Sequence, residues 1–202
     1  MEHIEDAIAD MMNSGEHEEK AKKWDEQLAE VIEEIRELKV AQNGLDMEMQ
    51  EHTMFDGKLR VYMPSDFKKM GNDDISQKYS SEPRPDLVYY NKQDTVNIGF
   101  TIIEENISNE DVAGVRDIMK NAVLSASPAA EILDEGDFAQ DENVVAYYAC
   151  LNFVLGGQLY SLIYIAPMAG KLLLCTLSCF MKDMETYKLL FYGMMKTAKA
   201  EK

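Results

Sequence analysis

Histidine is scarce in this 202-residue chain, and where it is missing matters more than how little there is. His3, His17 and His52 all lie near the N-terminus, and none follows. The rest of the sequence therefore lacks the side chain that most often moves protons near neutral pH. Serines are present, but no GxSxG elbow and no serine with a neighbouring histidine, so no nucleophile–base pair can be read. Cysteine is equally thin. Cys150, Cys175 and Cys179 are odd in number and form no CxxC, which excludes a disulfide framework and a zinc-ribbon spacing. They are expected as free, core-facing thiols in a reducing, cytoplasmic setting. No apolar run is long enough to span a bilayer. The N-terminus lacks a basic stretch followed by an apolar core, so no secretory leader is expected in the chain as given.

Positive charge is the other shortage. Twenty Lys and Arg stand against 37 Asp and Glu, a net charge of −17. Residues 1–54 hold 16 acidic and 5 basic residues, a net of −11, which leaves −6 for the rest. So acidic a chain disfavours nucleic acid and anionic membranes as partners and favours a basic protein.

What is present is a clear strand pattern in the last third. Four strands are expected between Glu131 and Met181. Val144–Val154 is rich in strand formers, and Gly156-Gly157 supplies a turn. Leu159–Ala166 follows, ended by Pro167, and Ala169-Gly170 makes the next turn. Along Lys171–Met181, Leu173, Cys175, Leu177, Cys179 and Met181 share one face while Thr176 and Ser178 lie on the other. Asp183 is placed to cap a final helix whose stripe is Tyr187, Leu190, Phe191, Met194 and Ala198.

The N-terminal third reads as an acidic helical arm, residues 1–54. A short helix Glu2–Met12 ends at Asn13-Ser14-Gly15. A longer one runs from Glu16 to about Gln42, stopping at Asn43-Gly44. Its apolar residues Ala21, Trp24, Leu28, Val31, Ile35 and Leu38 follow a heptad spacing. Leu45–Met54 reads as a linker. The folded domain is expected over residues 55–202. It opens with a strand Gly57–Met63 ended by Pro64 and a short helix capped by Ser65. A loop follows through Gly71–Pro85, then strands Leu87–Tyr90 and Thr95–Glu104 joined by the turn Asn91-Lys92-Gln93-Asp94. Ser108 caps a helix with Val112, Val115, Ile118, Met119, Ala122 and Val123 on its apolar face.

Three local runs accompany this order of elements. They are Asp56-Gly57…Val61-Tyr62-Met63-Pro64-Ser65-Asp66-Phe67, Lys78-Tyr79…Arg84-Pro85-Asp86-Leu87, and Tyr160…Gly170-Lys171-Leu172…Cys175-Thr176-Leu177-Ser178-Cys179…Tyr187…Phe191…Met195. With them the chain from about Phe55 to Lys199 resembles the PsbP-like family, above all its bacterial members. That family includes an extrinsic subunit of photosystem II and a Ran-GTPase-binding nuclear transport factor. The resemblance implies an α+β fold, an antiparallel sheet flanked by helices in an α/β/α sandwich, here with an N-terminal helical extension. The family's known members mostly bind proteins, and no catalytic residue is shared across it.

Candidate sites follow from faces. Thr95, Asn97, Gly99 and Thr101 share one face of their strand; Thr176 and Ser178 offer a similar one. If the two align, with Tyr148, Tyr160 and Tyr164 on neighbouring strands, they make a polar groove with aromatic walls. A plain solvent-facing sheet would look the same in sequence. The arm's seam must meet its own domain, a second copy or another protein. Its acidic flanks favour docking or a basic partner. Arg84 and Asp86 sit in a loop stiffened by Pro83 and Pro85. The acidic run Asp134, Glu135, Asp137, Asp141 and Glu142 lacks the ligand order of a calcium loop.

Candidate partner-binding residues are therefore Trp24, Leu28, Val31, Ile35, Leu38, Arg84, Tyr160 and Tyr164. No catalytic, cofactor or metal residue is expected. The function read from sequence is a non-enzymatic binding or adaptor protein. The alternative is a small-ligand carrier or an enzyme using the groove.

Overall fold

The computed structural model describes residues 2–41, 44–79 and 84–201, with side chains from Glu18 onward. In chain order its elements are α1 (Glu2–Arg36), β1 (Lys39–Val40), β2 (Met47–Met54), β3 (Leu59–Pro64), β4 (Lys68–Lys69), α2 (Asn72–Lys78), β5 (Leu87–Tyr90) and β6 (Val96–Asn106). They continue with α3 (Val112–Ala126), β7 (Glu131–Gln140), β8 (Asn143–Val154), β9 (Gly157–Met168), β10 (Lys171–Phe180), a 3₁₀ turn (Met181–Asp183), α4 (Met184–Thr197) and β11 (Lys199–Ala200).

The meander β7–β8–β9–β10 is antiparallel throughout, as the strand pattern and turns imply. The β5–β6 hairpin adds to its free side, giving a seven-stranded sheet in the order β4-β5-β6-β10-β9-β8-β7. Asn91 clamps that hairpin. Its Oδ1 accepts from the Thr95 and Val96 amides at 2.8 and 3.1 Å, and its Nδ2 donates to Thr95 Oγ1 at 3.0 Å. Pro167 lies inside β9 instead of ending it. β8 pairs with β9 only as far as Ile165, so the donor that proline lacks is not missed.

Alternation divides the core between the two faces of this sheet. Val96, Ile98 and Phe100 with Leu173, Cys175, Leu177 and Cys179 face α4. Ala146, Tyr148, Ile163, Ile165 and Leu172 face α3, which brings Val112, Val115, Met119 and Val123 onto them. Ile118, expected on that apolar face, is instead 70% exposed, and Ala122 is exposed too. Ser108 does not cap α3: the N-cap is Asp111, without a side-chain capping bond, and Asp111 Oδ2 instead accepts from the Ser108 amide and hydroxyl at 2.8 and 2.6 Å in the turn before the helix. Asp183 stands at the N-cap of α4 but makes no side-chain capping bond.

Four segments differ from the sequence expectation. α1 is one helix through Asn13-Ser14-Gly15. A glycine costs a helix interior only about 1 kcal/mol, and the C-terminal half of α1 is anchored. The helix also ends at Arg36, well before Gln42, because Leu38 adopts φ 63° and turns the chain into β1. Of the expected stop Asn43-Gly44, Asn43 lies outside the described residues, and Gly44, at φ 78°, follows β1 and not a helix. Leu45–Met54 is not a linker: β2 pairs with β3 along its length. Its buried residues, Met49 and Met54, do not share the parity of a simple strand, which hid it. β1, β2, β3 and β11 form a second, four-stranded sheet, so the expected boundary at 54/55 falls in the turn of the β2–β3 hairpin. Finally, no helix follows Ser65. Phe67 and Met70 are buried around the short β4, and the helix comes later, as α2, with Asp73 and Asp74 in its first turn and Ile75 buried.

α4 lies between the large sheet and α1, which explains why it buries far more than one stripe: Leu189, Leu190, Phe191, Tyr192, Met194 and Met195 are all buried. Gly193 sets the approach of the two helices. A Cβ there would fall 2.7 Å from Ile35 Cδ1 and 2.9 Å from Val31 Cγ1. Val31 and Ile35 are buried at this crossing, and each contributes about 1.5–3 kcal/mol. Further up α1, Trp24 stands edge-on to Tyr192 with centroids 5.5 Å apart, under the Lys188 ammonium at 4.9 Å. Leu28 is partly buried against the same core.

His52, on β2, is half-buried, with its ring 5.4 Å from that of Tyr89 and its Nε2 without a hydrogen-bond partner among the described residues. Burial pulls its pKa below the ordinary 6.5. The neutral ring is the folded form, so its contribution is complete above the unfolded value of about 6.5 and is lost as pH falls below it. Urea denaturation between pH 7.5 and 5.5 should show a steeper loss of stability in the native chain than in His52→Phe. Equal slopes would remove His52 as a source of acid sensitivity.

Candidate functional site

α3 covers only part of its face of the large sheet. Beyond it the floor changes from Ile and Leu to small polar residues, and a cleft of about 710 Å³ opens. The register builds that floor. On β10, Thr176 lies opposite Gly99 and Ser178 opposite Asn97 of β6, while on the other side Ser178 lies opposite Ser161 of β9. Thr95 and Thr101 extend the same β6 face. The two small polar faces read from the sequence therefore align in one groove.

Its walls are not the tyrosines expected. Tyr160 and Tyr164 point through the opposite face into the core. Tyr160 stacks on Phe191 at 6.3 Å and an interplanar angle of 7°, and Tyr164 is buried beside Cys175. Desolvation pushes both phenols well above their ordinary pKa and pushes the Cys150 thiol up to about 11. Tyr148 is on the cleft's face of the sheet but buried beneath α3. The walls are instead Tyr79 and Pro85 on one side and Val154, Leu155, Leu159 and Phe180 on the other. Pro85 sits over Gly99, 3.4 Å from where a Cβ would be. Asp86 pins that wall: its amide donates to Phe100 O at 2.8 Å and its Oδ2 accepts from the Ile102 amide at 2.7 Å. Leu155 was readable in one respect, as an apolar residue placed just before the turn glycine where polar residues are the rule.

The chemistry of the lining is mild. Ser161 and Ser178 hydrogen-bond each other at 2.8 Å. Lys78 Nζ binds Asp94 Oδ1 at 2.6 Å and Asn97 Oδ1 at 3.0 Å, so among the described residues the two charges that line the cleft pair at one end. At the other end the β8–β9 hairpin tip stands in solvent: Leu155 is 103% exposed, Phe153 57% and Val154 41%.

The remaining sequence candidates lie elsewhere. Val31 and Ile35 are core residues, Trp24 and Leu28 pack on α4, and Leu38 is 46% exposed at the turn into β1. Arg84 is half-buried at the start of the Pro85 wall. The acidic run on β7 is matched by α3: Arg116 approaches Glu135 at 3.9 Å and Asp137 at 3.8 Å, and Lys120 binds Glu135. Asp134 accepts from Tyr192 Oη at 2.5 Å.

The solution structure of cyanobacterial PsbP (CyanoP) from Synechocystis sp. PCC 6803 is similar to 80% of this chain and 96% of its own, with a TM-score of 0.58 at 16% identity. The fold is the PsbP-like fold. LpqN from Mycobacterium tuberculosis, described as involved in cell envelope biogenesis, gives a TM-score of 0.47 at 12% identity over 76% of this chain and 92% of its own. A Pseudomonas aeruginosa protein, PA94, gives 0.42 at 10% identity over 74% and 94%. No family model matches the sequence, and no curated protein matches it. At 16% identity the likeness to the cyanobacterial protein is one of fold, and it assigns the cleft no ligand. No helix among the described residues is long and apolar enough to cross a membrane.

Proposed function

We propose that the protein is a non-enzymatic binding protein that engages another polypeptide through the cleft beside α3. One observation carries this reading: Val154 and Leu155, at the tip of the β8–β9 hairpin, continue the cleft's apolar wall out into solvent. Exposed apolar surface next to a formed cleft marks protein contacts. Leu155 stands fully exposed at the cleft's rim, so a small ligand seated on the polar floor would leave most of it in water, whereas a chain crossing the rim would cover it. The cleft's volume also suits a small molecule, but its serine hydroxyls bind each other, and the sequence that builds the cleft, from position 78 on, holds no histidine to activate one. The buried free thiols fit a reducing, cytoplasmic setting.

The reading is tested with a photo-crosslinking residue at position 155, and with one at position 118 as an exposed control on α3. Illumination in native lysate should trap a polypeptide from position 155 and not from 118. Trapping from 118 alone, or from neither, would count against the cleft.

A further inference from the structure

The floor of this cleft holds hydrogen-bonding groups that the protein itself does not satisfy. Ser161 and Ser178 pair with each other. Thr101 and Thr176 do not: neither hydroxyl has a hydrogen-bond partner among the described residues, although Thr101 is only 8% exposed. Asn97 Oδ1 accepts from Lys78, which leaves the two protons of its Nδ2 unused. Polar groups left open on a cleft floor are met by a ligand or by ordered water. The register sets their spacing. Asn97, Gly99 and Thr101 follow one another on one face of β6, and Thr176 of β10 lies opposite Gly99. The row from Asn97 to Thr101 is about 14 Å long. Among the described lining residues no charge is free, because Lys78 and Asp94 pair at the end of the floor. The acidic surplus of the chain is concentrated in residues 1–54, and α1 packs on α4, beyond the opposite face of the sheet.

This floor sets three properties of an occupant. A charge lying on it would lose water and gain no counter-charge, so the occupant is uncharged there. Asn97 Nδ2 can only donate and the threonine hydroxyls can donate, so the occupant presents acceptors. A helix uses its carbonyls in its own hydrogen bonds, whereas about four residues of extended chain lay free carbonyls along the whole row. Resting on the reading of the cleft as a protein-binding site, we infer that its occupant is an extended, uncharged segment of another protein. Its backbone carbonyls accept from Asn97, Thr101 and Thr176, and an apolar side chain of the segment covers Leu155 and Phe180 at the rim. An uncharged oligosaccharide would also accept from the floor, but it has no apolar side chain to cover Leu155.

The test titrates two capped, uncharged peptides of equal length into the full ¹⁵N-labelled chain. One is built of Pro, Leu and Gln and is held extended by its prolines; the other, of Ala, Leu and Gln, forms a helix. The proline peptide should shift amides of residues 95–101 and 174–180 and of the β8–β9 tip. Its affinity should change by less than about twofold between about 50 and 300 mM salt, since no ion pair holds it. Thr101→Val and Thr176→Val keep the shape and remove the hydroxyl. Each should weaken binding about three- to tenfold with the rest of the amide spectrum unchanged, and Leu155→Asp should weaken it at least about tenfold. The helical peptide should leave these amides in place. Equal shifts from both peptides, shifts from maltohexaose but not from the proline peptide, native affinity in both valine variants, or no shift at all would overturn the extended segment. A polypeptide trapped through position 155 whose contact proves helical or charged would also overturn this inference, yet leave the cleft as a protein-binding site. Failure to trap anything there would remove the site itself.

Discussion

Replacing Ile35 with alanine should lower the thermal midpoint by about 6–12 °C and leave the mass in solution unchanged. Ile35 is fully buried and packs on α4 at Gly193, where the helices approach too closely for a side chain. Large-to-small changes at such sites cost about 2–5 kcal/mol, and the middle of that range corresponds to the shift above for a chain of this size. Little relaxation is open to α1, because Trp24 is held against Tyr192 and beneath Lys188. The unchanged mass matters as much as the lower midpoint. It separates a seam that docks on its own domain from one that joins two chains. A lower mass would mean that the seam also serves self-association.

Thr176→Trp should do the reverse: abolish capture of the partner while leaving stability nearly as it was. Thr176 is half-exposed on the cleft floor, opposite Gly99 and Ile163. An indole there occupies the space that a partner needs. Tryptophan suits a strand, and the altered side chain points into the cleft and not the core. A midpoint within about 2 °C of the native value is expected, in keeping with the small cost of substitutions at open positions. Binding should weaken at least tenfold, about 1.4 kcal/mol or more. Unaltered capture in a stable Thr176→Trp protein would place the partner elsewhere.

The cleft floor was legible because strand parity is a local property. Once β6 and β10 alternate, Thr95, Asn97, Gly99, Thr101, Thr176 and Ser178 must lie on faces opposite the apolar set, and only their alignment depends on pairing. The walls were not legible. Tyr79 and Pro85 reach the cleft through a hydrogen-bonded loop anchored on Phe100 and Ile102. Leu155 and Phe180 meet them across the sheet, and sequence spacing does not encode that distance. Tyr160 and Tyr164 were assigned to the walls because of their strand neighbours. Their even numbering on β9 puts them on the face toward α4, with Leu162 between them. The second sheet was hidden for a related reason. β1 and β11 are two residues each, and β11 pairs with β3 from the far end of the chain. The docking of α1 was readable as one of several ways to cover the heptad seam. Gly193, which admits Val31 and Ile35, has no signature of its own in the sequence of α4.

The cleft can be tested most directly by hydroxyl-radical footprinting of the full chain, alone and with the polypeptide trapped through position 155. Side chains that are open in the free protein report for themselves. Leu155, Phe153 and Val154 are open at the tip, and Ile118 and Leu133 are open away from it. The account predicts that oxidation of Leu155, Val154 and Phe180 falls in the complex while that of Ile118 and Leu133 stays as it was. Protection of Ile118, Leu133 or Leu38, with Leu155 still oxidised at its free rate, would contradict it.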